Sequence, residues 1–375
     1  MKCWIATLVI CLTTLIPTVA QTSETPRVRA SIVVASPGKE LYTSTGHCGL
    51  RLACEERRLD YIFTTKAEDI GHNPLNFLLG RCKMGVACTT TDEFIRRCSE
   101  DDSRLMDYEL FLPDSIKPAL WDYMCKQLVE PSMPYDYVNS GSPQMVTRWI
   151  TSFIPDDSLF IDNHLFALRD LSRKDVILRD IPPRSWVVTA VHVLAGGQAY
   201  RIHVDPTKKI LSPTQLIYTL QHSEAYGQHL LSKKPTVLLN LQPYESEGEY
   251  DSLMLYIAIL TLLLTFMSRS MNRNLRYIAW IPLGLLDIIV TVLLISPLPS
   301  TEWNWLIIPF NILPLLLWRW RRAWAIPYGV CCIVWAVVAY LWPHPMSDAT
   351  LSIMALAAAL AAFNERYFLR YPVKA

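Results

Sequence analysis

Five apolar runs fill the last third of the chain, and they restrict its fold more than any other feature. They cover roughly residues 252–268, 277–296, 303–318, 324–342 and 349–364. Each run is near the length that crosses about 30 Å of hydrocarbon as a helix rising about 1.5 Å per residue. The third run is short and contains Pro309 and Pro314. Residues 251–375 are therefore predicted to form a membrane domain of about five transmembrane helices.

The charges between these runs predict an orientation. Basic residues follow the first, third and fifth runs, namely Arg269, Arg273, Arg276, Arg319, Arg321, Arg322, Arg366, Arg370 and Lys374. The two loops between them, PLPSTEWN and PHPMSDA, contain neither Lys nor Arg. Because Lys and Arg are enriched in cytoplasmic loops, residues 21–250 are predicted to lie outside the cytoplasm. Asp287, inside the second run, is expected to face a neighbouring helix or a polar cavity.

The N-terminus supports export independently. It has one lysine, an apolar stretch and then TVA, which predicts a signal peptide, residues 1–20, cleaved after Ala20. A retained signal anchor is the alternative. Lipidation at Cys11 is rejected because Ile10 occupies the preceding position, where a small residue is needed.

Residues 21–250 mix strand and helix patterns. Alternating apolar residues predict strands in RASIVVASPG, YTSTGHCGLRLAC, LDYIFTT and SRLMDYELFLP, and two more in RSWVVTAVHVLAGGQAYRIHV around Gly196 and Gly197. Helices are predicted in TDEFIRRCSE, PDSIKPALWDYMCKQLVE and LSPTQLIYTLQ, and one from about Pro143, with Ser142 before it. This mixture indicates an α+β fold.

Composition excludes several classes of function. The formal net charge is +1, so no overall field attracts nucleic acid. The sequence has no HExxH motif, no close Cys/His ligand set and no phosphate-binding loop, so no metal or other cofactor is expected. The exported part has six cysteines, Cys48, Cys54, Cys82, Cys88, Cys98 and Cys125. Export permits disulfides, so up to three bridges are expected, with the pairing open.

Two short segments are candidates for catalysis. His47 lies in a predicted strand between Gly46 and Cys48, although a lone strand histidine is more often structural. Ser140 precedes a predicted helix, where the helix dipole and free N–H groups favour an anionic nucleophile, although a serine there can simply start the helix. Neighbouring strand residues point to opposite faces, so Cys48 is not expected to pair with His47. A disulfide is the preferred role for Cys48.

Taken together, the motifs STGHCGLRL, DYIFTT, NFLLG, DYELFLPDSIKPALWDYM and YDYVNSGS, followed by a helical tail, resemble the Bacteroides-type lipoprotein N-acyltransferase family, Lnb. About 100 residues carry the resemblance, and residues 150–250 match less clearly. The resemblance implies a papain-like, NlpC-type fold in permuted order, with the histidine strand before the nucleophile helix. The family's histidine falls on His47 and its cysteine nucleophile on Ser140.

The serine at position 140 departs from the family pattern, which is thiol chemistry. Restoring a cysteine would give seven in the exported part: three potential bridges and one unpaired thiol. This count favours a deliberate Cys→Ser substitution, and a natural serine enzyme and a natural inactive homologue remain open.

The family's reaction implies an acyl donor, an acceptor and a location. An acyl chain would move from a membrane phospholipid, through a thioester, to the α-amino group of a diacylated lipoprotein, with His47 as base. The backbone N–H groups of Ser140 and Gly141 would hold the oxyanion, and Asn139 would shape the turn. Asp60 or His72 would orient His47. The resemblance places the chain in the cytoplasmic membrane of a Gram-negative bacterium, with the catalytic domain in the periplasm.

Two other classes of function stay open at this point. One is an exported, membrane-tethered cysteine amidase or peptidase of the cell wall, since the same fold class hydrolyses peptide bonds. The other is a non-catalytic membrane receptor built on an inactive hydrolase fold, which a natural serine at position 140 would permit.

Overall fold

A computed structural model describes residues 27–39, 43–67, 74–155, 159–161, 171–179, 181, 186–202, 210–242, 249–270, 272, 274–343 and 345–370. The proposed signal peptide, residues 1–20, and His72 lie outside the described residues. The described chain is α+β in its first part and helical in its second, which agrees with the predicted class.

A seven-stranded antiparallel sheet organises the αβ domain. Its strands run in the spatial order β10-β5-β1-β2-β3-β4-β6, and three short strands form a second sheet, β7-β8-β9. The strands are β1 Val28–Ala35, β2 His47–Cys54, β3 Leu59–Ala67, β4 Lys83–Thr90, β5 Leu105–Glu109, β6 Met133–Pro134, β7 Leu159–Ile161, β8 Ser223–Ala225, β9 Gln228–His229 and β10 Thr236–Leu239. Every neighbouring pair in both sheets is antiparallel.

Helices pack on both faces of the large sheet. The αβ domain contains α1 Pro74–Leu78, α2 Thr91–Glu100, α3 Ile116–Gln127, α4 Ser142–Thr151, α5 Arg173–Arg179, α6 Trp186–Leu194 and α7 Pro213–Gln221. One face, with Leu50 and Leu52, packs against Val146 and Trp149 of α4. The other face packs against Phe94 of α2. The alternation of side chains along each strand therefore assigns residues to two separate cores.

Most of the elements predicted for the αβ domain agree with the structure, but two predicted strands do not. The helices predicted in TDEFIRRCSE, PDSIKPALWDYMCKQLVE and LSPTQLIYTLQ, and after Gly141, are confirmed as α2, α3, α7 and α4. The two strands predicted around Gly196 and Gly197 are wrong, because the first of these segments forms α6 and the described part of the second forms no strand. Strand β4 was missed, since Gly85 and Ala87 interrupt its apolar alternation.

The second part of the chain has four long helices. They are α8 Glu249–Ser270, α9 Leu275–Ile295, α11 Arg321–Leu341 and α12 Ala349–Arg370. Two helical stretches, Leu275–Ile295 and Trp318–Leu341, are long and apolar enough to cross a membrane. The helix expected over the third run, residues 303–318, is wrong. That segment is a series of 3₁₀ turns and the single-turn helix α10, Leu313–Leu316, because Pro309 and Pro314 cannot donate helical hydrogen bonds.

The outer surface of the helical domain is apolar. Large side chains on α8, α9 and α11 are at least one-third exposed, among them Leu260, Phe266, Ile281, Leu285, Val334 and Leu341. The alanines of α12 are buried inside instead, so small residues allow close helix packing there. Asp287 is buried in α9, as expected for a carboxyl facing neighbouring protein. These exposed apolar side chains form what we call the apolar belt, and exposed apolar surface of this kind is typical of a surface that contacts lipid.

The two parts of the chain meet through specific hydrogen bonds. The loop 297–304, between α9 and the irregular segment, bonds to the end of α6: Gly196 N–H donates to Ser300 O at 2.7 Å and Asn304 Nδ2 to Val193 O at 2.6 Å. The loop before α12 is also held, since the buried Lys174 donates to Pro345 O and Tyr200 OH to Met346 O. The αβ domain therefore rests on one end of the helical domain.

Candidate functional site

The turn that carries Ser140 is built by one carboxylate. Asp136 Oδ1 accepts hydrogen bonds from the backbone N–H groups of Val138 and Asn139, both at 2.9 Å, and from Asn139 Nδ2 at 3.0 Å. Ser140 N–H donates to Asp136 O at 2.8 Å. An aspartate that bonds the backbone ahead of it fixes a tight turn. We call residues 136–140 the 136–140 turn.

The hydroxyl of Ser140 is engaged within this turn. Ser140 Oγ accepts from Asp136 N–H at 2.7 Å and donates to Asp136 O at 2.9 Å, and the residue is 5 % exposed. Gly141 then forms the N-cap of α4, and Pro143 lies in the first turn of the helix. The sequence correctly predicted a serine before a helix N-terminus. It was wrong about one oxyanion donor, because Ser140 N–H is already bonded to Asp136 O.

Arg173 braces the turn from α5. Arg173, a buried residue on α5, donates from Nη1 to Asn139 Oδ1 at 2.9 Å and from Nη2 to Val138 O at 2.5 Å. The expectation that Asn139 shapes the turn agrees with these bonds, since its amide joins Asp136 to Arg173. Arg173 itself was missed, because only the fold brings position 173 beside position 139.

His47 is the first residue of β2 and is 7 % exposed. Its Nε2 lies 2.5 Å from Thr64 Oγ1, and Thr64 Oγ1 donates to Cys48 O at 2.9 Å. The one hydroxyl proton of Thr64 serves the second bond, so the network assigns the His47 ring proton to Nε2. The His47 ring also stacks on Phe94, with 6.5 Å between ring centroids.

Burial sets the charge state of His47. Removal from water lowers its pKa to about 4, and the negative charge of Asp101 opposes this only in part. His47 is therefore neutral at neutral pH, and the low pKa also makes its buried imidazole a weaker base than a solvated one. Thr64 and Asp101 are neighbours of His47 that the sequence did not predict, because strand register and the end of α2 bring them to it.

His47 and Cys48 lie on opposite faces of the sheet, as predicted. The His47 side chain, however, does not face Ser140 as the expected catalytic pair would require. Cys48 packs in the core that includes α4, whereas His47 lies against Phe94 of α2. Cys48 N–H donates to Ser142 Oγ at 3.3 Å, so the start of β2 touches the start of α4. In the described part of the chain no hydrogen bond joins the His47 ring to Ser140; the backbone brings the two segments together, but the side chains face different partners.

The expected orienting role of Asp60 is wrong. Asp60 forms an ion pair with Arg51, with Nη2 and Oδ2 2.6 Å apart, and it accepts a hydrogen bond from Thr91. It pairs in register with Ala53, six residues along β2 from His47, which corresponds to about 20 Å. Arg51 also contacts Asp107 at 2.6 Å, so the carboxylate of Asp60 belongs to an ion-pair cluster centred on Arg51.

The disulfide bridges expected from the sequence are not formed among the described cysteines. All six described cysteines of the αβ domain are free thiols, Cys48 among them. Cys48 is buried and free, and burial raises its pKa to about 12, so it is not an activated thiol. The count that favoured a lost cysteine at position 140 assumed three bridges, and it therefore loses its support. Within the described residues, no group of three or more His, Cys, Asp or Glu side chains is arranged to hold a metal ion.

Comparison with protein-family models, curated proteins and solved structures gave no match to this chain. Its function is therefore inferred from the residues and their geometry.

Proposed function

We propose that the chain is the scaffold of a membrane-bound lipoprotein N-acyltransferase, active when position 140 is a cysteine. The observation that carries the proposal is the bond between the 136–140 turn and the helical domain: Ser300 N–H donates to Asp136 Oδ2 at 2.9 Å. A nucleophile here would lie where the αβ domain rests on the apolar helices. An enzyme whose acyl donor and acceptor are both lipids needs its nucleophile at that level.

The proposal includes a multi-pass topology in the cytoplasmic membrane of a Gram-negative bacterium, with a papain-like catalytic domain in the periplasm. The helices α8, α9, α11 and α12 would supply four passes, and the irregular segment 305–317 the fifth. Non-helical backbone is tolerated at membrane depth only when protein covers it. Leu306 and Phe310 are buried among the helices, and Tyr328 OH donates to Pro309 O at 2.5 Å, which supports this topology.

The chemistry would proceed in two steps. His47 takes the proton of the thiol at position 140, and the thiolate attacks the ester carbonyl of a phospholipid. The lysophospholipid leaves as its alcohol after receiving that proton, and a thioester remains. The α-amino group of the diacylglyceryl-cysteine then attacks the thioester, the thiolate leaves, and His47 carries the amine proton back to sulfur. An amide forms and the enzyme is regenerated.

This chemistry requires the His47 imidazole to leave Thr64 and Phe94 and to reach position 140, because the ring lies on the face of the sheet away from α4. The contact between Cys48 N–H and Ser142 Oγ already places the two backbones side by side. In the serine form, the hydroxyl has a much higher pKa than a thiol, so a lone imidazole activates it poorly. The chain with Ser140 is expected to bind lipid and to turn over little or not at all.

The test compares the full-length chain with its Ser140→Cys variant in phospholipid vesicles. We expect Ser140→Cys to gain an acyl group on the introduced thiol and to transfer it to a synthetic diacylglyceryl-cysteine peptide, both detected by mass spectrometry. Ser140→Cys combined with His47→Gln should lose both reactions. Equal transfer by the Ser140 chain would contradict the thiol mechanism, and absence of acylation in Ser140→Cys would contradict the acyltransferase proposal.

A second candidate is a non-catalytic membrane receptor. Two observations favour it: the hydroxyl of Ser140 bonds to the backbone of its own turn, and His47 Nε2 bonds to Thr64. A protein of this kind would bind a diacylated peptide equally well with a serine or a cysteine at position 140, and neither form would transfer an acyl chain.

A further inference from the structure

We infer that Asp136 is a positioning residue that fixes the nucleophile turn to the membrane domain through Ser300. The inference rests on the proposed function, because it concerns the placement of residue 140 relative to lipid. Its basis is that the two carboxylate oxygens of the buried Asp136 bind different parts of the chain. Oδ1 builds the 136–140 turn, and Oδ2 binds the loop 297–304.

The turn is held by bonds that do not depend on the side chain at position 140. Ser140 N–H donates to Asp136 O at 2.8 Å, and Arg173 donates to the carbonyl of Val138. A displacement of the Asp136 carboxylate therefore moves the atom at position 140 with it. Buried charge-assisted hydrogen bonds of this type are the strong ones in proteins.

The partner of Oδ2 is equally well held. Gly196 N–H donates to Ser300 O and Gly197 N–H to Glu302 O, so the loop 297–304 is clamped between α6 and the turn. Gly196 has no room for a side chain, because an added Cβ would lie 2.3 Å from Glu302 O. The missing side chain allows the loop to approach α6 this closely.

The loop also continues directly into the helical domain. It joins the end of α9 to the irregular segment whose Leu306 and Phe310 are buried among the helices. The bond from Ser300 to Asp136 thus connects the core of the helical domain to residue 140 through one short loop. If residue 140 is held at a fixed distance from the helices, its nucleophile reaches the ester carbonyls that lie at one particular depth in the bilayer. Asp136 would therefore govern reaction with lipid donors and leave the intrinsic reactivity of the thiol unchanged.

Asp136→Asn separates these roles. The amide keeps one oxygen for the N–H groups of the turn, but its NH₂ group cannot accept from Ser300 N–H. Thr189→Val is the matched control, because it removes another bond between the two parts of the chain, from Thr189 Oγ1 to Asp348, without touching the turn. Both variants are made in the full-length Ser140→Cys chain.

Two acyl donors distinguish positioning from a general structural effect. The first is a phospholipid in vesicles, and the second is p-nitrophenyl butyrate, a soluble ester that reaches the thiol without a bilayer. We expect Asp136→Asn to slow acylation of the thiol at position 140 by phospholipid about tenfold or more, since small displacements of reacting groups are costly. Acylation by the soluble ester should change by less than about threefold, and Thr189→Val should leave both rates within that range.

Two results would overturn the inference: an unchanged phospholipid rate in Asp136→Asn, or an equal loss with both donors. If even Ser140→Cys is not acylated by phospholipid, the proposed function fails and the positioning role is judged by amide hydrogen exchange. Peptides covering residues 136–140 should then exchange faster in Asp136→Asn than in Thr189→Val. Equal exchange in the two variants would reject the connection between Asp136 and Ser300.

Discussion

His47 combines burial with a neutral hydrogen-bond partner, Thr64, which does little to offset the cost of protonation. Its pKa is lowered from 6.5 to about 4, so below pH 6.5 the unfolded chain binds a proton that the folded chain does not accept. The contribution of His47 to the free energy of unfolding is therefore fully present above pH 6.5 and is lost as the pH drops towards 4. The loss from this residue amounts to about 3 kcal/mol over that interval.

His47→Gln should remove this part of the acid sensitivity. We expect its melting temperature to fall less than that of the parent chain between pH 7.5 and pH 4.5, measured by tryptophan fluorescence in detergent. Some acid sensitivity should remain, because burial also lowers the pKa of His192 to about 3. The exposed His229 is the control, and His229→Gln should keep the full pH dependence. An unaltered pH dependence in His47→Gln would mean that the imidazole is not buried as described.

Cys88 and Cys125 are the one pair of thiols in the described αβ domain for which a bridge is expected on oxidation. Both side chains are exposed. The pKa of Cys88 is raised to about 11, first by partial removal of its thiol from water and second by the nearby Cys125. Mild oxidation should remove two hydrogens from the intact mass and link the peptides that contain the two residues. Cys88→Ser should abolish the link, whereas Cys54→Ser should preserve it. A link between other cysteines would contradict the prediction.

At the scale of elements, β2 and α4 illustrate what the sequence specifies. The alternation of HCGLRLAC and the Pro143 start signal were sufficient to predict a strand and a helix in these places. Their mutual contact was not predictable, because the bond from Cys48 N–H to Ser142 Oγ depends on packing between residues far apart in sequence. At α6 the type of element was predicted wrongly, because Trp186, Val187 and Val188 favour a strand but tertiary contacts impose a helix.

The contact between β2 and α4 can be tested with Ser142→Ala. The change removes the acceptor for Cys48 N–H and leaves a buried donor unpaired, so we expect a loss of about 1–2 kcal/mol in stability. Ser152→Ala is the matched control at the other end of α4, where the hydroxyl bonds only to Trp149 O within the same helix. Chemical denaturation monitored by tryptophan fluorescence measures both. Equal losses would show that the β2–α4 contact contributes nothing specific.

The candidate site followed the same pattern. Ser140, Asn139 and His47 were found because each lies in a short local motif. Asp136, Arg173 and Thr64 were not, although YDYVNS contains Asp136 four residues before Ser140, a spacing that could have indicated a turn closed by its aspartate. Asp60 was one of two possible orienting residues, and the register of β2 and β3 places it at the wrong end of β2.

At the scale of the whole molecule, the apolar belt and the polar αβ domain divide the surface into two regions. The belt is formed by α8, α9 and α11, while α12 is buried by its alanines. Arg276 and Arg321 both pair with the buried Glu365 at the end of the helical domain where α9 and α11 begin and α12 ends. The αβ domain contacts the other end. Charge at one end, a polar domain at the other and apolar surface between them fit a slab of hydrocarbon.

A charge introduced into the belt tests this division. Val334 lies in the middle of α11 and is 55 % exposed, so Val334→Arg should place a guanidinium in hydrocarbon at a cost of about 2.5–3.5 kcal/mol. We expect less protein in the carbonate-resistant membrane fraction of expressing cells. Val129, which is 83 % exposed and follows α3 in the αβ domain, provides the control. Val129→Arg should leave membrane insertion unchanged, because an arginine there enters water. If both variants are recovered equally from membranes, the belt contacts protein or solvent, and a nucleophile turn placed at its upper edge would no longer face lipid.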